Sequence, residues 1–357
     1  MSDPLHKIHR VAFGALALAL VLIVAKVVEP EDREVRPDAT AEGGDGLVFK
    51  SRRFLMGTEF KMTIWAPKEK SEVAAQALGD VFDELAELEQ RISSWQPDSE
   101  TSRVNRNAGN EAVPVGTELQ QLLSRSLHWA GETDGAFDVS GGPLFELWEQ
   151  ARERGVLPSQ EEIDACRALT GHERIDLRNG KVRLQKAGMK LGFGAIGKGF
   201  AADQAAIYLQ SKGLSNYIID AGGDLLVKGW RGDRPWSLAV RHPRGDEFLA
   251  RLESDDCAVT TSGDYERFTV INGQRYSHIL NLRSGRPATD LTSVTVIARS
   301  ATDADALATA LFVMDAPRGL AFVESLPEVE AILMDAKGET ILSKGLRLQG
   351  DRLTLEW

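Results

Sequence analysis

The amino-acid sequence predicts an α+β fold in which mixed sheets carry packed helices. Residues 71–92 and 117–132 repeat apolar side chains at intervals of three and four, the spacing of helices with one buried face. From residue 258 onward, short strand-like runs dominate. The two kinds of segment do not alternate strictly, which argues against a parallel βαβ sheet. With 357 residues, 43% of them hydrophobic, the chain can bury a large core, and its length suits two lobes or one large domain.

Three segments precede the fold. Val11 to Ala25 is an unbroken apolar run, continued past Lys26 by Val27 and Val28, and it reaches spanning length if Lys26 snorkels. His6, Lys7, His9 and Arg10 precede the run, whereas Glu29, Glu31 and Asp32 follow it. Residues 1–10 therefore read as a cytoplasmic tail, and 11–28 as an uncleaved transmembrane helix in the inner membrane. Everything beyond lies on the periplasmic side. A cleavable signal peptide is the competing reading, but Ala39-Thr40-Ala41 lies far from the apolar run across an acidic stretch. Residues 29–46 are charged and rich in Gly and Pro, the composition of a flexible tether, which leaves 47–357 as the folded domain.

Within that domain, residues 53–65 read as a strand interrupted at Met56-Gly57-Thr58. The helix at 71–92 presents Ala74, Leu78, Val81, Leu85, Leu88 and Ile92 on one face, and a polar loop follows at 93–100. The helix at 117–132 presents Leu119, Leu122, Leu123, Leu127 and Ala130 and stops at Thr133-Asp134-Gly135. Residues 192–199 are Gly-rich and lead into a helix that runs to Lys212, where Gly213 stops it. Tyr217-Ile218-Ile219 is a short buried strand, and Ala221-Gly222-Gly223-Asp224 turns the chain into Leu225-Leu226-Val227. Strands are expected at 265–270, 275–282 and 293–297, a helix at 302–315, and a hairpin from 331–334 and 340–342.

Composition narrows the chemistry. A net charge of −11 and a pI near 5.2 lack the basic footprint of a nucleic-acid binder, so no nucleic-acid partner is expected. Cys166 and Cys257 form no disulfide framework, and six scattered histidines without H-E-x-x-H argue against zinc. The segment from Ser300 to Phe312 carries the most. Ser300 or Thr302 can cap a helix, acids follow in its first turn, and Leu307, Ala310, Leu311 and Met314 form an apolar face. Asp305 and Thr309, four residues apart, point the same way. Two hard oxygens on a rigid face suit Mg²⁺ better than zinc or copper. The plainer reading is an acid complementing the helix dipole.

Gly192-Phe-Gly194-Ala-Ile-Gly197-Lys198-Gly199 contains G-x-G-x-x-G and nearly a P-loop. The P-loop version fails at Gly199, where a hydroxyl should hold Mg²⁺. The dinucleotide-binding version has a helix after it and Asp220 at about the right distance, but residues 186–191 make a poor buried parallel strand. A tight turn of small residues explains the fragment equally well, and what survives is an anion site of unspecified class. Asp138 alone is a turn residue, residues 260–268 a turn leading into a strand, and His278 a lone histidine on a strand.

The segments gain force together. Phe54-Leu-Met56-Gly-Thr58, Ser93-Ser-Trp95-Gln-Pro-Asp-Ser99 with Arg103-Val-Asn105, Thr133-Asp-Gly-Ala-Phe-Asp138-Val139, Gly194-Ala195-Ile-Gly-Lys198-Gly-Phe-Ala-Ala-Asp203, Asp220-Ala-Gly-Gly-Asp224, Thr261-Ser-Gly-Asp-Tyr-Glu-Arg267, Tyr276-Ser-His278-Ile279 and Ala304-Asp305-Ala-Leu-Ala-Thr309-Ala310 stand in one order. In that order they resemble the ApbE-like FAD:protein FMN transferases, over about residues 50–350. The resemblance implies a two-lobed flavin transferase fold. It also implies enzymes that cut FAD at its diphosphate, release AMP, and join FMN through a phosphoester to a Thr or Ser of an acceptor redox protein. Such enzymes act outside the cytoplasm with Mg²⁺. Carried over by position, Asp305 and Thr309 hold the metal with side chains and Ala195 with its carbonyl. Met56, Trp95, Ala136, Phe137, Asp138, Gly192, Lys198 and Ile279 correspond to flavin-contacting positions. His278 is the best placed group to deprotonate the acceptor hydroxyl, so His278 and Asp305 form the candidate catalytic set.

Three segments depart from the family pattern. Gly192 and Asn281-Leu282 replace a usual Asp and Asp-Pro, and Ser284 replaces a Thr while keeping its hydroxyl. The alternatives left open are a membrane-tethered FAD-binding protein, an FAD pyrophosphatase with weak or no transferase activity and, distantly, a dinucleotide-binding oxidoreductase.

Overall fold

Alternating burial along two neighbouring stretches builds the first hairpin of the domain. Strands Gly46–Leu55 and Thr58–Pro67 pair antiparallel from Gly46↔Pro67 to Leu55↔Thr58. Met56 and Gly57 have φ of 52° and 75°, the paired positive values of a tight turn whose twist matches that of its strands. The interruption read at Met56-Gly57-Thr58 is thus this turn, and the single strand expected there is two. The computed structural model describes residues 36–38 and 46–357. The expected tail and membrane span at 1–28 lie outside them, as does most of the tether. Arg36–Asp38, within the tether stretch, forms a short strand antiparallel to Gly46–Leu55. Among the described residues no helix is long and apolar enough to cross a membrane.

Nine strands form the main sheet. Their spatial order is Arg36–Asp38, Gly46–Leu55, Thr58–Pro67, Tyr217–Ala221, Asp224–Lys228, Asp256–Gly263, Leu291–Ala298, Val329–Asp335 and Thr340–Leu342. Each pairing is antiparallel, which removes the dinucleotide-binding alternative, a fold built on parallel strands. A second sheet of Leu346–Gln349, Arg352–Leu355, Phe248–Ser254 and Trp236–Arg241 is mixed, with a parallel pairing at Arg251↔Arg352. Leu291–Ala298 is buried at every position because both of its faces are covered. Val294 and Val296 join the cluster that contains the helices, and Ile297 joins the one that contains Trp236 and Leu238 of the second sheet.

The helices are α1 (Ser71–Ile92), α2 (Glu100–Arg106), α3 (Thr117–Glu132), α4 (Gly142–Arg154), α5 (Gln160–Arg167), α6 (Gly197–Ser211), α7 (Ala301–Val313) and α8 (Ala316–Val323). α1 buries the expected face together with Ala77 and Phe82. α4, α5 and the Leu280–Leu282 segment share a smaller cluster of their own. The described residues form one compact unit.

α7 departs furthest from its expected form. The sequence suggests one apolar face, but the helix is buried almost all round, from Ala301 to Phe312. It packs along α6 and on strands Asp256–Gly263 and Leu291–Ala298. Of the two caps considered, Ser300 is the N-cap, its hydroxyl accepting from Asp303 N at 3.3 Å. Asp203 of α6 accepts from Ala301 N at 3.0 Å and from Thr302 N at 2.9 Å, so two further helix-end N–H groups are satisfied in a buried place. Asp303 pairs with the Arg125 guanidinium at 2.5 and 2.6 Å and with Trp129 Nε1 at 2.8 Å, tying α7 to α3.

Gly199 lets α6 and α7 meet. A Cβ at that position would collide with the Ala301 carbonyl and lie 2.9 Å from Asp305 Cβ. This also explains why the P-loop pattern fails there: no hydroxyl-bearing side chain fits. Gly199→Ala should therefore lower stability by about 1–3 kcal/mol through overpacking against backbone. Urea denaturation checks this, and an unchanged midpoint would show that the two helices are free to separate.

Candidate active site

Asp305 sits on α7 at the contact with α6 and is 3% exposed. Its Oδ2 accepts from Gly199 N at 3.0 Å, and its Oδ1 meets no donor among the described residues. Because the Gly199 N–H turns to Asp305, it does not bond the Ala195 carbonyl four residues earlier, and no other described N–H takes that carbonyl. The preceding residue, Lys198, sends its ammonium to the carboxylate of Asp224, which is 4% exposed. Thr309 Oγ1 lies 3.5 Å from Ser262 Oγ on the adjoining strand. Two residues before Ser262, on the same strand face, the buried Thr260 hydroxyl has no partner among the described residues.

Burial dominates the electrostatics. It pushes the Asp305 carboxyl up to about 7, against the attraction of Lys198 and the Gly199 N–H, with Asp224 and Glu266 adding repulsion. Burial likewise raises Asp224, opposed by Lys198. Lys198 is driven the other way by its own burial, yet the charges of Asp224 and Asp305 prevail and hold its pKa above the ordinary lysine value. The donors at hand are a carboxylate with one free oxygen, an unused carbonyl and hydroxyls, one of them orphaned. These are hard oxygens, and they fit Mg²⁺ with its preference for one or two carboxylates plus phosphate and water. Among the described residues no three His, Cys, Asp or Glu side chains converge as a protein-only metal cage.

His278 leaves strand Gln274–Ser277 and keeps solvent access on its ring. Its Nδ1 lies 2.9 Å from the Arg267 carbonyl, which can only accept. Nδ1 therefore carries the hydrogen in the neutral ring, and the Nε2 lone pair is free. Desolvation by the surrounding protein lowers its pKa, with Arg267 and Lys198 repelling the added proton.

The segments expected at the flavin gather separately. Asn105 of α2 clamps Leu191, accepting from its N–H at 2.7 Å and donating to its carbonyl at 3.0 Å. Gly192 N donates to Val139 O at 2.9 Å, and a Cβ at Gly192 would have Ser94 Oγ as its near neighbour at 3.9 Å. Residues 94, 139 and 192 are thus adjacent, and they carry Trp95, Asp138 and Gly192 with them. The Trp95 side chain is 87% exposed, a broad aromatic face without a covering. The Met56 turn abuts the turn before Asp224: a Cβ at Gly222 would meet the Thr58 side chain.

The family model described as the ApbE family matches residues 56–333. The chain belongs to the ApbE family. An FAD:protein FMN transferase of Vibrio cholerae is 36% identical over 247 residues, covering 68% of this chain and 74% of its own. One from Treponema pallidum is 33% identical over 305 residues, covering 80% and 84%. The crystal structure of an ApbE protein from Thermotoga maritima superposes with a TM-score of 0.77 at 31% identity, covering 83% of this chain and 97% of that one. The apo flavinyl transferase ApbE of Pseudomonas stutzeri gives 0.76 at 30% identity, covering 85% and 96%.

Within this ApbE-family site, the carried-over residues divide by what their side chains can reach. Asp305, Thr309, Ala195 and Lys198 come together, and Trp95 is open. Phe137, 1% exposed, and the buried Ile279 put their side chains into the core, so a ligand would meet their backbone. Ala136 is half-buried. Asp138 accepts from Ser140 N and His172 N, both at 2.8 Å, and so ties its own loop to the turn at His172. The departures are structurally mild. Asn281 Oδ1 accepts from Arg283 N at 3.0 Å and Ser284 N at 3.2 Å, as a carboxylate would. Ordinary contact distance at Gly192 leaves room for a larger residue. Asp224, Ser262, Thr260, Asn105 and Asp203 carry no site role in the sequence pattern, although each stands within a segment singled out there.

Two histidines report the site in opposite directions. The hydrogen bond to Asp138 raises His172, aided by the Asp138 charge and opposed by burial. A His172 pKa above its unfolded value stabilises the fold fully below about pH 6.5, and this is lost as pH rises through the folded value. NMR titration of the imidazoles should place His172 above, and His278 below, the ordinary histidine value. The reverse order would contradict both environments.

Proposed function

We propose that this chain transfers FMN from FAD to a Thr or Ser hydroxyl of an acceptor protein, releasing AMP, in a Mg²⁺-dependent reaction. The observation that carries the reading is Asp305. It is a buried carboxylate with one oxygen fixed by Gly199 N and the other free, beside an unused Ala195 carbonyl and the Lys198 ammonium. The similarity to proteins named FAD:protein FMN transferase supports the reaction class.

Asp305, Thr309 and the Ala195 carbonyl would hold the cation, which when bound neutralises diphosphate charge. Lys198 draws in the same diphosphate and the departing AMP phosphate. Trp95 offers its exposed ring to the isoalloxazine. Nε2 of His278 takes the hydroxyl proton while the acceptor oxygen bonds to the FMN phosphorus and the bond to the bridging oxygen breaks. The depressed pKa of His278 keeps this base unprotonated at neutral pH.

Asp305→Ala should cost the most, roughly two to four orders of magnitude in metal-dependent transfer, as expected when a principal electrostatic group is removed. Thr309→Ala should cost less, because water replaces a hydroxyl. Flavin fluorescence retained covalently on a co-expressed acceptor measures transfer. Near-normal transfer by Asp305→Ala would overturn the assignment, and AMP release without an acceptor in wild type would point to the pyrophosphatase instead.

The charge asymmetry around residues 11–28 supports an inner-membrane anchor with the catalytic domain on the periplasmic side. A topology reporter fused after Trp357 should then be active only outside the cytoplasm, and cytoplasmic activity would refute this orientation.

A further inference from the structure

We propose that Asp224 is a positioning residue for metal uptake: it holds the Lys198 ammonium away from Asp305, so that Asp305 stays available to Mg²⁺. The inference rests on the reading of Asp305 as the metal carboxylate. Lys198 and Gly199 are consecutive in the first turn of α6. The Gly199 N–H is fixed on Asp305 Oδ2 at 3.0 Å, so the flexible lysine stem departs from a backbone already anchored to that carboxylate. Asp224, Asp305 and, last of the three, the exposed Glu266 all act on the Lys198 charge, which leaves Asp305 as the buried competitor of Asp224. The ion pair forms with Asp224.

Asp224 is placed to win. It opens strand Asp224–Lys228 directly after the turn closed by Gly223 N on Asp220 Oδ1 at 2.7 Å, and its own Oδ1 faces Thr261 N at 3.4 Å. Were Asp224 neutral, Asp305 would be the buried carboxylate remaining for the ammonium. An ion pair there would occupy the free oxygen and set a positive charge against an incoming dication. Asp224 itself needs no contact with phosphate or metal. It acts through Lys198.

The test uses the isosteric Asp224→Asn, with Mg²⁺ titrated calorimetrically into the FAD-loaded protein without acceptor. Mg²⁺ affinity should fall roughly ten- to hundredfold, the usual effect of losing a group that orients a ligand. In Asp224→Asn/Lys198→Met the competing ammonium is gone, and Mg²⁺ affinity should recover to within about threefold of wild type although transfer stays impaired. A merely structural Asp224 would give no such recovery. Wild-type affinity in Asp224→Asn, or a double variant as weak as the single one, would overturn the inference. Asp305→Ala separates the two levels. If it weakens Mg²⁺ binding while Asp224→Asn does not, this inference alone fails. If it binds Mg²⁺ as wild type does, the metal reading fails and takes the inference with it.

Discussion

The backbone contact between α6 and α7 at Gly199 is the constraint on which the rest depends. A residue without Cβ lets one helix start against the side of another. That approach brings the Gly199 N–H to Asp305, releases the Ala195 carbonyl, and starts the Lys198 side chain beside both acids. α7 tolerates it because its sequence is dominated by small residues and by Leu and Phe that fill the space around them. The same contact is thus a packing solution and the source of the site's polarity.

Polarity inside a core is costly unless compensated. Here one ammonium faces two buried acids and pairs with Asp224, which leaves the cluster short of positive charge at Asp305. The N-terminus of α7 would disfavour a cation, but Ser300 and Asp203 already occupy the N–H groups of Ala301, Thr302 and Asp303. Their negative and dipolar groups offset the positive helix end one turn before Asp305. The arrangement favours a cation that arrives with its own phosphate ligands.

Regular periodicity was legible in the sequence. The buried face of α1 is the one its spacing indicates, and the hairpin near residue 335 pairs Val329–Asp335 with Thr340–Leu342. Local patterns failed where tertiary neighbours decide. The Met56-Gly57 turn lies between two strands of similar composition, so one strand was read for two. α7 has an apolar face by spacing, yet strands on one side and helices on the other bury its remaining faces too. At the site, Asp305 and Thr309 were readable because a helix sets their separation. Asp224 and Ser262 were not, because only strand pairing brings residues so far apart in sequence beside Lys198 and Thr309. Phe137 and Ile279 matched family positions, but only the fold shows that their side chains turn inward.

The Gly199–Asp305 hydrogen bond closes a separation of 106 residues. Between those ends lie the strands Tyr217–Ala221, Asp224–Lys228, Asp256–Gly263 and Leu291–Ala298, each of which must find its place in the sheet first. Such long-range closures come late, since chain entropy is lost before they are rewarded. A chain with α7 not yet docked lacks the Gly199–Asp305 contact and the buried carboxylate that the contact holds. The buried acid cluster is therefore one of the last features this polypeptide assembles.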